Sequence, residues 1–103
     1  MTYQTAIAAL ADPTRRAIVE ALREEPQPVG ALAKRLPISR PAVSQHLRVL
    51  SDAGLVKADP RGTRRVYSLA PDGVRALRQY LDRLWDDALR AYADEARRQS
   101  RSN

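Results

Sequence analysis

The chain has no cysteine, one histidine and four glycines in 103 residues. The missing cysteine excludes disulfides, thiolate metal ligands and cysteine nucleophiles, and fits a reducing, cytoplasmic setting. A single histidine has no second imidazole or thiolate to complete a metal site. No segment approaches the ~18 uninterrupted apolar residues of a membrane span. The opening MTYQTAIAALADPTRR lacks the basic start and apolar core of a signal peptide. The five aromatics form no stacking platform for single strands: Tyr3, Tyr67 and Tyr80 are dispersed, and Trp85 and Tyr92 belong to a helical stripe. The length suits one domain, read as residues 1–97 followed by a disordered tail over 98–103.

Acidic residues are scarce in one place only. Residues 28–69 hold Lys34, Arg35, Arg40, Arg48, Lys57, Arg61, Arg64 and Arg65 against Asp52 and Asp59, and so carry the whole net charge of +6. The flanks are nearly balanced. Charge concentrated in this way attracts a polyanion. A membrane surface fits less well, because the basic region is not one amphipathic helix with a bulky apolar face.

Prolines and glycines divide the rest. TAIAALA reads as a short first helix with Ile7 and Leu10 on one face. Asp12 caps a second helix and Pro13 occupies its first position, where a missing N–H costs nothing. Ile18, Val19 and Leu22 form its apolar stripe, and PQP at 26–28 stops it. VGALAKRL is a third helix with Leu32 and Leu36 inward, ended by Pro37. Ser39 caps a fourth helix, which Gly54 ends in the left-handed conformation that glycine adopts cheaply. Two β-prone runs, 55–59 and 64–69, flank a PRGT loop and spell a hairpin. A helix of about seven turns follows, with Val74, Leu77, Leu81, Leu84, Ala88 and Ala91 at spacings of three and four and Trp85, Leu89 and Tyr92 widening the stripe.

This order, α-α-α-α-β-β-α, is mainly α with a small β-hairpin wing: a winged helix-turn-helix. Close approach of the third and fourth helices needs a small residue, Ala33, and an apolar anchor ten residues later, Val43. Pro37 stands where many such turns carry glycine, which suits a turn without a positive φ. On the fourth helix, Val43, His46, Leu47 and Leu50 share the core face. Arg40, Pro41, Ser44, Gln45 and Arg48 share another, polar and cationic, with Ser39 at its start. That mix reaches base edges and phosphates in a major groove. Gln45 suits adenine, Arg40 or Arg48 suits guanine or phosphate, and Ser44 permits close approach. Arg61, Thr63, Arg64 and Arg65 sit at or beside the hairpin tip, in reach of an adjacent minor groove or backbone. Lys34 and Arg35 end the third helix within reach of phosphates.

No catalytic residue is readable. Ser44 and His46 leave the helix on different sides, so they cannot form a nucleophile–base pair. His46 reads instead as a semi-buried imidazole bonded to backbone or a DNA phosphate. In the last helix Asp82 and Asp86 share a face, and Asp94 and Glu95 follow. Oxygen ligands of this kind, paired across a dimer, suit a hard cation. Interleaved arginines make i,i+4 ion pairs such as Asp86–Arg90 and Asp94–Arg98 the simpler reading. The sequence thus specifies no metal site and no cofactor.

ALADPTRRAIVEAL, ISRPAVSQHLRVLSDAGLV and PRGTRRVYSL together resemble the ArsR/SmtB family of bacterial winged-helix repressors, over roughly residues 3–92. The resemblance implies a cytoplasmic homodimer, held by its first and last helices, on a palindromic operator near its own or neighbouring genes. Many members are released from DNA by metal ions. This chain lacks both the cysteine pair and the histidines of the sensing members, and resembles those with no recognisable metal site. Apart from the resemblance, the long last helix carries more apolar surface than a small core can cover. Tyr3, Ile7, Leu10, Leu77, Leu81, Leu84, Trp85, Ala88, Leu89 and Tyr92 are therefore the expected dimer contacts. Two other readings stand beside the DNA-binding repressor: a winged-helix module that meets an acidic protein partner, and a metal-responsive repressor using the last helix's carboxylates. Whether a protein or a small molecule acts as inducer is not written in the sequence.

Overall fold

Local signals set most boundaries in the computed structural model, which describes residues 3–102. The elements are α1 (Tyr3–Leu10), α2 (Pro13–Glu24), β1 (Gln27–Pro28), α3 (Val29–Arg35), α4 (Arg40–Asp52), β2 (Val56–Arg61), β3 (Arg64–Leu69) and α5 (Pro71–Ser102). The Asp12 carboxylate caps α2 by accepting from the N–H groups of Thr14 at 2.8 Å and Arg15 at 3.1 Å. The same helix caps its predecessor. Arg15 Nε donates to the Ala9 carbonyl at 2.6 Å, and Arg16 Nη1 donates to Leu10 and Ala11, so cations answer the orphan carbonyls at the end of α1.

The Arg15 N–H above all holds the Asp12 carboxyl below its ordinary value of 3.8, with lesser help from the Thr14 N–H and the charges of Arg15 and His46. A carboxylate with a lowered pKa stabilises the fold above the unfolded value and loses that contribution as pH falls through the folded one. Stability is therefore expected to decline as pH falls below about 4, measured by urea unfolding. Asp12→Asn, which keeps an acceptor but does not titrate, should flatten that part of the profile.

The core joins α1 to α4 and the start of β2. Ile18, Leu32, Val43, Leu47 and Leu50 are its largest fully buried side chains, with Ala6 and Ala9 from α1, Leu22 from α2 and Leu55 and Val56 closing it. Helix α1 buries Ala6 and Ala9 and leaves Ile7 and Ala8 exposed, so its apolar surface is divided between the core and the outside. His46 is half-buried beside the core face of α4, and Val49 is exposed.

Two departures from the sequence reading concern the PQP segment and the C-terminal end. PQP does stop α2, but Gln27 and Pro28 also form an edge strand, making the hairpin a three-stranded antiparallel sheet of order β1-β3-β2. Gln27 pairs with Tyr67 and Pro28 with Val66. An edge position tolerates proline's missing N–H. The buried Gln27 side chain donates to the Ala21 carbonyl at 2.9 Å and ties the strand to the end of α2. At the other end, α5 continues through Ser102 and so takes in residues 98–102 of the expected disordered tail, while Asn103 lies outside the described residues. At 1.5 Å per residue this helix is about 48 Å long. It packs against α1 and then leaves the body, stretching the molecule to 70 × 24 × 21 Å.

Candidate nucleic-acid interface

The interface begins with the pairing of α3 and α4. Leu32 and Val43 meet in the core with full burial, and the small Ala33 lies half-buried between the helices. The turn between them needs no unusual backbone: among the described residues only Gly54 and Gly62 have positive φ. Leu36 takes the extended conformation (φ −105°, ψ 126°) that the residue before a proline prefers. Pro37 thus fits where a left-handed turn would have required glycine.

Ser39 Oγ accepts from the Ala42 N–H at 3.3 Å and starts α4, with a proline in its first turn. From that start the helical period sets the outward face. Arg40, Pro41, Ser44, Gln45 and Arg48 are all exposed.

The wing presents a second cationic edge. Strands β2 and β3 are joined by Gly62 and Thr63, with Gly62 at φ 65° in the positive-φ position that tight hairpins demand. Arg61 then pairs directly with Arg64, and Pro60 with Arg65. Like charges opposite one another destabilise an isolated hairpin, and no acid in the sheet pairs with either arginine. Arg61, Thr63, Arg64 and Arg65 are exposed.

Between wing and helices lies an open cleft of about 670 Å³, lined by Lys34, Arg40, Ser44, Arg64 and Arg65 with Tyr67 behind them. Its lining contains no carboxylate. Gln45 and Arg48 project beside it from α4, outside its walls. Arg35 is turned elsewhere: it forms an ion pair with Glu24 of α2. Gly30 also lines the cleft and was not singled out in the sequence, although a glycine inside a helix costs about 1 kcal/mol relative to alanine and so invites a reason.

The expected dimer contacts are distributed differently. Ile7, Leu81, Leu84, Trp85, Ala88, Leu89 and Tyr92 are exposed, and Leu10 and Leu77 are half-buried. The Tyr3 side chain lies outside the described residues. Trp85 and Tyr92 keep 66% and 76% of their surface in solvent, far more than the protomer would leave on aromatic side chains with a role in its own core. Three acids of α5 form exposed ion pairs along the helix, Asp87–Arg90, Asp94–Arg97 and Glu95–Arg98, spaced at i,i+3; the expected i,i+4 pairs give way, Arg90 meeting Asp87 in place of Asp86 and Asp94 meeting Arg97 in place of Arg98. Among the described residues no group of three or more histidines and acids converges as a metal site would require. No helix among the described residues is long and apolar enough to cross a membrane.

Comparison with known proteins agrees with this geometry. A helix-turn-helix domain family matches residues 10–58. The chain is 64% identical over 85 residues to the HTH-type transcriptional regulator Rv2034 of Mycobacterium tuberculosis, spanning 82% of this chain and 79% of that protein. Among solved structures, an ArsR-like transcriptional regulator from Rhodococcus sp. RHA1 superposes with a TM-score of 0.76 at 33% identity, covering 91% of this chain and 92% of the other. A possible transcriptional regulator for arsenical resistance superposes at 0.69 with 45% identity, covering 84% and 92%. These relatives are named as regulators, not enzymes. With its four N-terminal helices, its basic wing and an exposed polar face on α4, the chain belongs to the ArsR/SmtB family of winged helix-turn-helix, DNA-binding transcriptional regulators.

Proposed function

We propose that the protein is a homodimeric repressor, working in the cytoplasm, that reads a palindromic operator near its own or neighbouring genes. The observation that carries this reading is the convergence of Arg40 and Ser44 of α4 with Lys34 and the wing's Arg64 and Arg65 on one concave cleft lined by no carboxylate, with Gln45 and Arg48 exposed on the same helix. Ser44 and Gln45 have the size and donor–acceptor chemistry to read base edges, while Arg48 and the wing arginines supply backbone contacts. The exposed apolar arc of α5, together with Ile7, supports pairing of two copies through α1 and α5. A dimer solves a reading problem as well. One helix covers only a few base pairs, and two related by a two-fold axis about 34 Å apart read both halves of an inverted repeat.

Electrophoretic shifts with upstream intergenic DNA test this directly. Gln45→Ala is expected to relax choice at one base position by about 1–3 kcal/mol. Arg61→Ala or Arg64→Ala is expected to weaken binding on every sequence and flatten the salt dependence. Absence of any shift at low salt would instead favour an acidic protein partner.

A further inference from the structure

We propose that the cleft between α3, the start of α4 and the wing is a phosphodiester-binding site, in which Arg40 grips the DNA backbone rather than a base, and that Gly30 is the positioning residue that puts Arg40 there. The inference rests on the DNA-binding reading above and assigns one part of that surface.

Gly30 has no conformational reason to be glycine. It lies within α3, and the only described residues with positive φ are Gly54 and Gly62. Its missing side chain has a different use. A β-carbon at position 30 would stand 3.2 Å from Arg40 Cζ and 3.5 Å from its Nε, and would run into Nη2. The guanidinium therefore lies across the face of α3 in space that only glycine leaves open. Arg40 is also at the edge of α4's polar arc nearest α3, whereas Gln45 is at the far edge. An arginine reading guanine must extend its planar fork beyond the helix into the groove. This one lies back against Gly30 of α3.

What it faces there is charge of its own sign. Lys34, Arg64 and Arg65 line the same cleft, and no carboxylate does. Among the described residues, none of these four cations takes part in a side-chain hydrogen bond or ion pair. Four uncompensated cations in one concavity, with Tyr67, Val29 and Pro28 as a less polar floor, concentrate positive field where a backbone phosphate would sit. A guanidinium offers such a group two parallel donors.

The test is a set of anisotropy titrations on a selected duplex and a scrambled one across a salt series. The proteins are wild type, Arg40→Ala, Gly30→Ala and the double variant. Arg40→Ala should weaken both duplexes by the same factor and lower the slope of log K against log salt by roughly 0.9 per site. Gly30→Ala should weaken both duplexes about three- to tenfold while its thermal midpoint stays the same or rises, since alanine is the better helix former. In the Arg40→Ala background, Gly30→Ala should change nothing. Inorganic phosphate at matched ionic strength should displace the duplex no better than chloride.

Several results would overturn the proposal: Arg40→Ala losing preference at one base position with an unchanged slope, Gly30→Ala binding like wild type, or Gly30→Ala losing as much without Arg40 as with it. Displacement by phosphate beyond its ionic strength would assign the cleft to a free phosphate ester instead. A wild-type protein that binds neither duplex would remove the DNA-binding reading itself, which separates the two failures.

Discussion

Replacing Gly73 by alanine is expected to cost about 3 kcal/mol, the upper end of what an overpacked core residue costs, and to lower the thermal midpoint by roughly 10–20 °C. The reason lies in how α5 is attached. Gly73 is buried in the first turn of α5, and its N–H donates to the Gly54 carbonyl at 3.0 Å. A β-carbon at position 73 would overlap that same carbonyl and stand 3.0 Å from the Ala53 oxygen. All these neighbours are backbone, so no side chain can swing aside. The turn that supplies them is itself constrained, because Gly54 sits at φ 74° to end α4. Ala70 N–H adds a second tie to Leu55 at 2.9 Å. Two contrasts make the result specific. Gly62→Ala meets nothing within 4 Å and carries only the left-handed penalty of about 1–2 kcal/mol. Gly30→Ala should be neutral or stabilising. Calorimetry of the three variants distinguishes a docking clash from a general intolerance of glycine replacement.

Trp85→Glu is expected to leave the protomer folded and to abolish the proposed dimer, with a loss of at least a hundredfold in operator affinity. Trp85 is 66% exposed on the isolated chain and belongs to an arc with Leu81, Leu84, Leu89 and Tyr92, each about half exposed or more. Removing such an arc from water is worth roughly 25 cal/mol per Å², and a central aromatic is the kind of residue on which an interface depends. A carboxylate placed there would have to lose its water within the proposed interface. Each separated protomer would keep its reading helix and lose only the advantage of engaging two half-sites at once. Sedimentation should show a single-chain mass at micromolar concentration, with the circular dichroism of the helices unchanged. If wild type already sediments as one chain, or if Trp85→Glu binds the operator as tightly, the α5 face has another use.

Much of this was legible because local chemistry acts alone in several places. Asp12 before Pro13, Ser39 before Arg40–Pro41 and Gly54 after α4 each mark a boundary through a cap or a positive φ that needs no tertiary partner. The polar face of α4 followed from helical period alone. Strand β1 did not follow, because two residues, one of them proline, carry no alternating pattern; only pairing with Tyr67 and Val66 makes them a strand. The extent of α5 was hidden by QSRSN, a weak helix sequence held at its near end by Asp94–Arg97 and Glu95–Arg98 pairs. Arg35 was grouped with Lys34 by adjacency, yet successive helical residues diverge by 100°, and Arg35 meets Glu24. Gly30 left a faint signal, a poor helix former in the first turn of α3, but its partner Arg40 lies in another helix and only coordinates bring them together.

Selection of bound duplexes from random DNA, with wild type and Gln45→Ala in parallel, most directly tests whether two α4 faces enter neighbouring grooves. The expected outcome is an inverted repeat with half-site centres about 10 base pairs apart, and, for Gln45→Ala, loss of preference at one symmetric position in each half. Enrichment of no sequence, or of an asymmetric one that Gln45→Ala leaves unchanged, would contradict it.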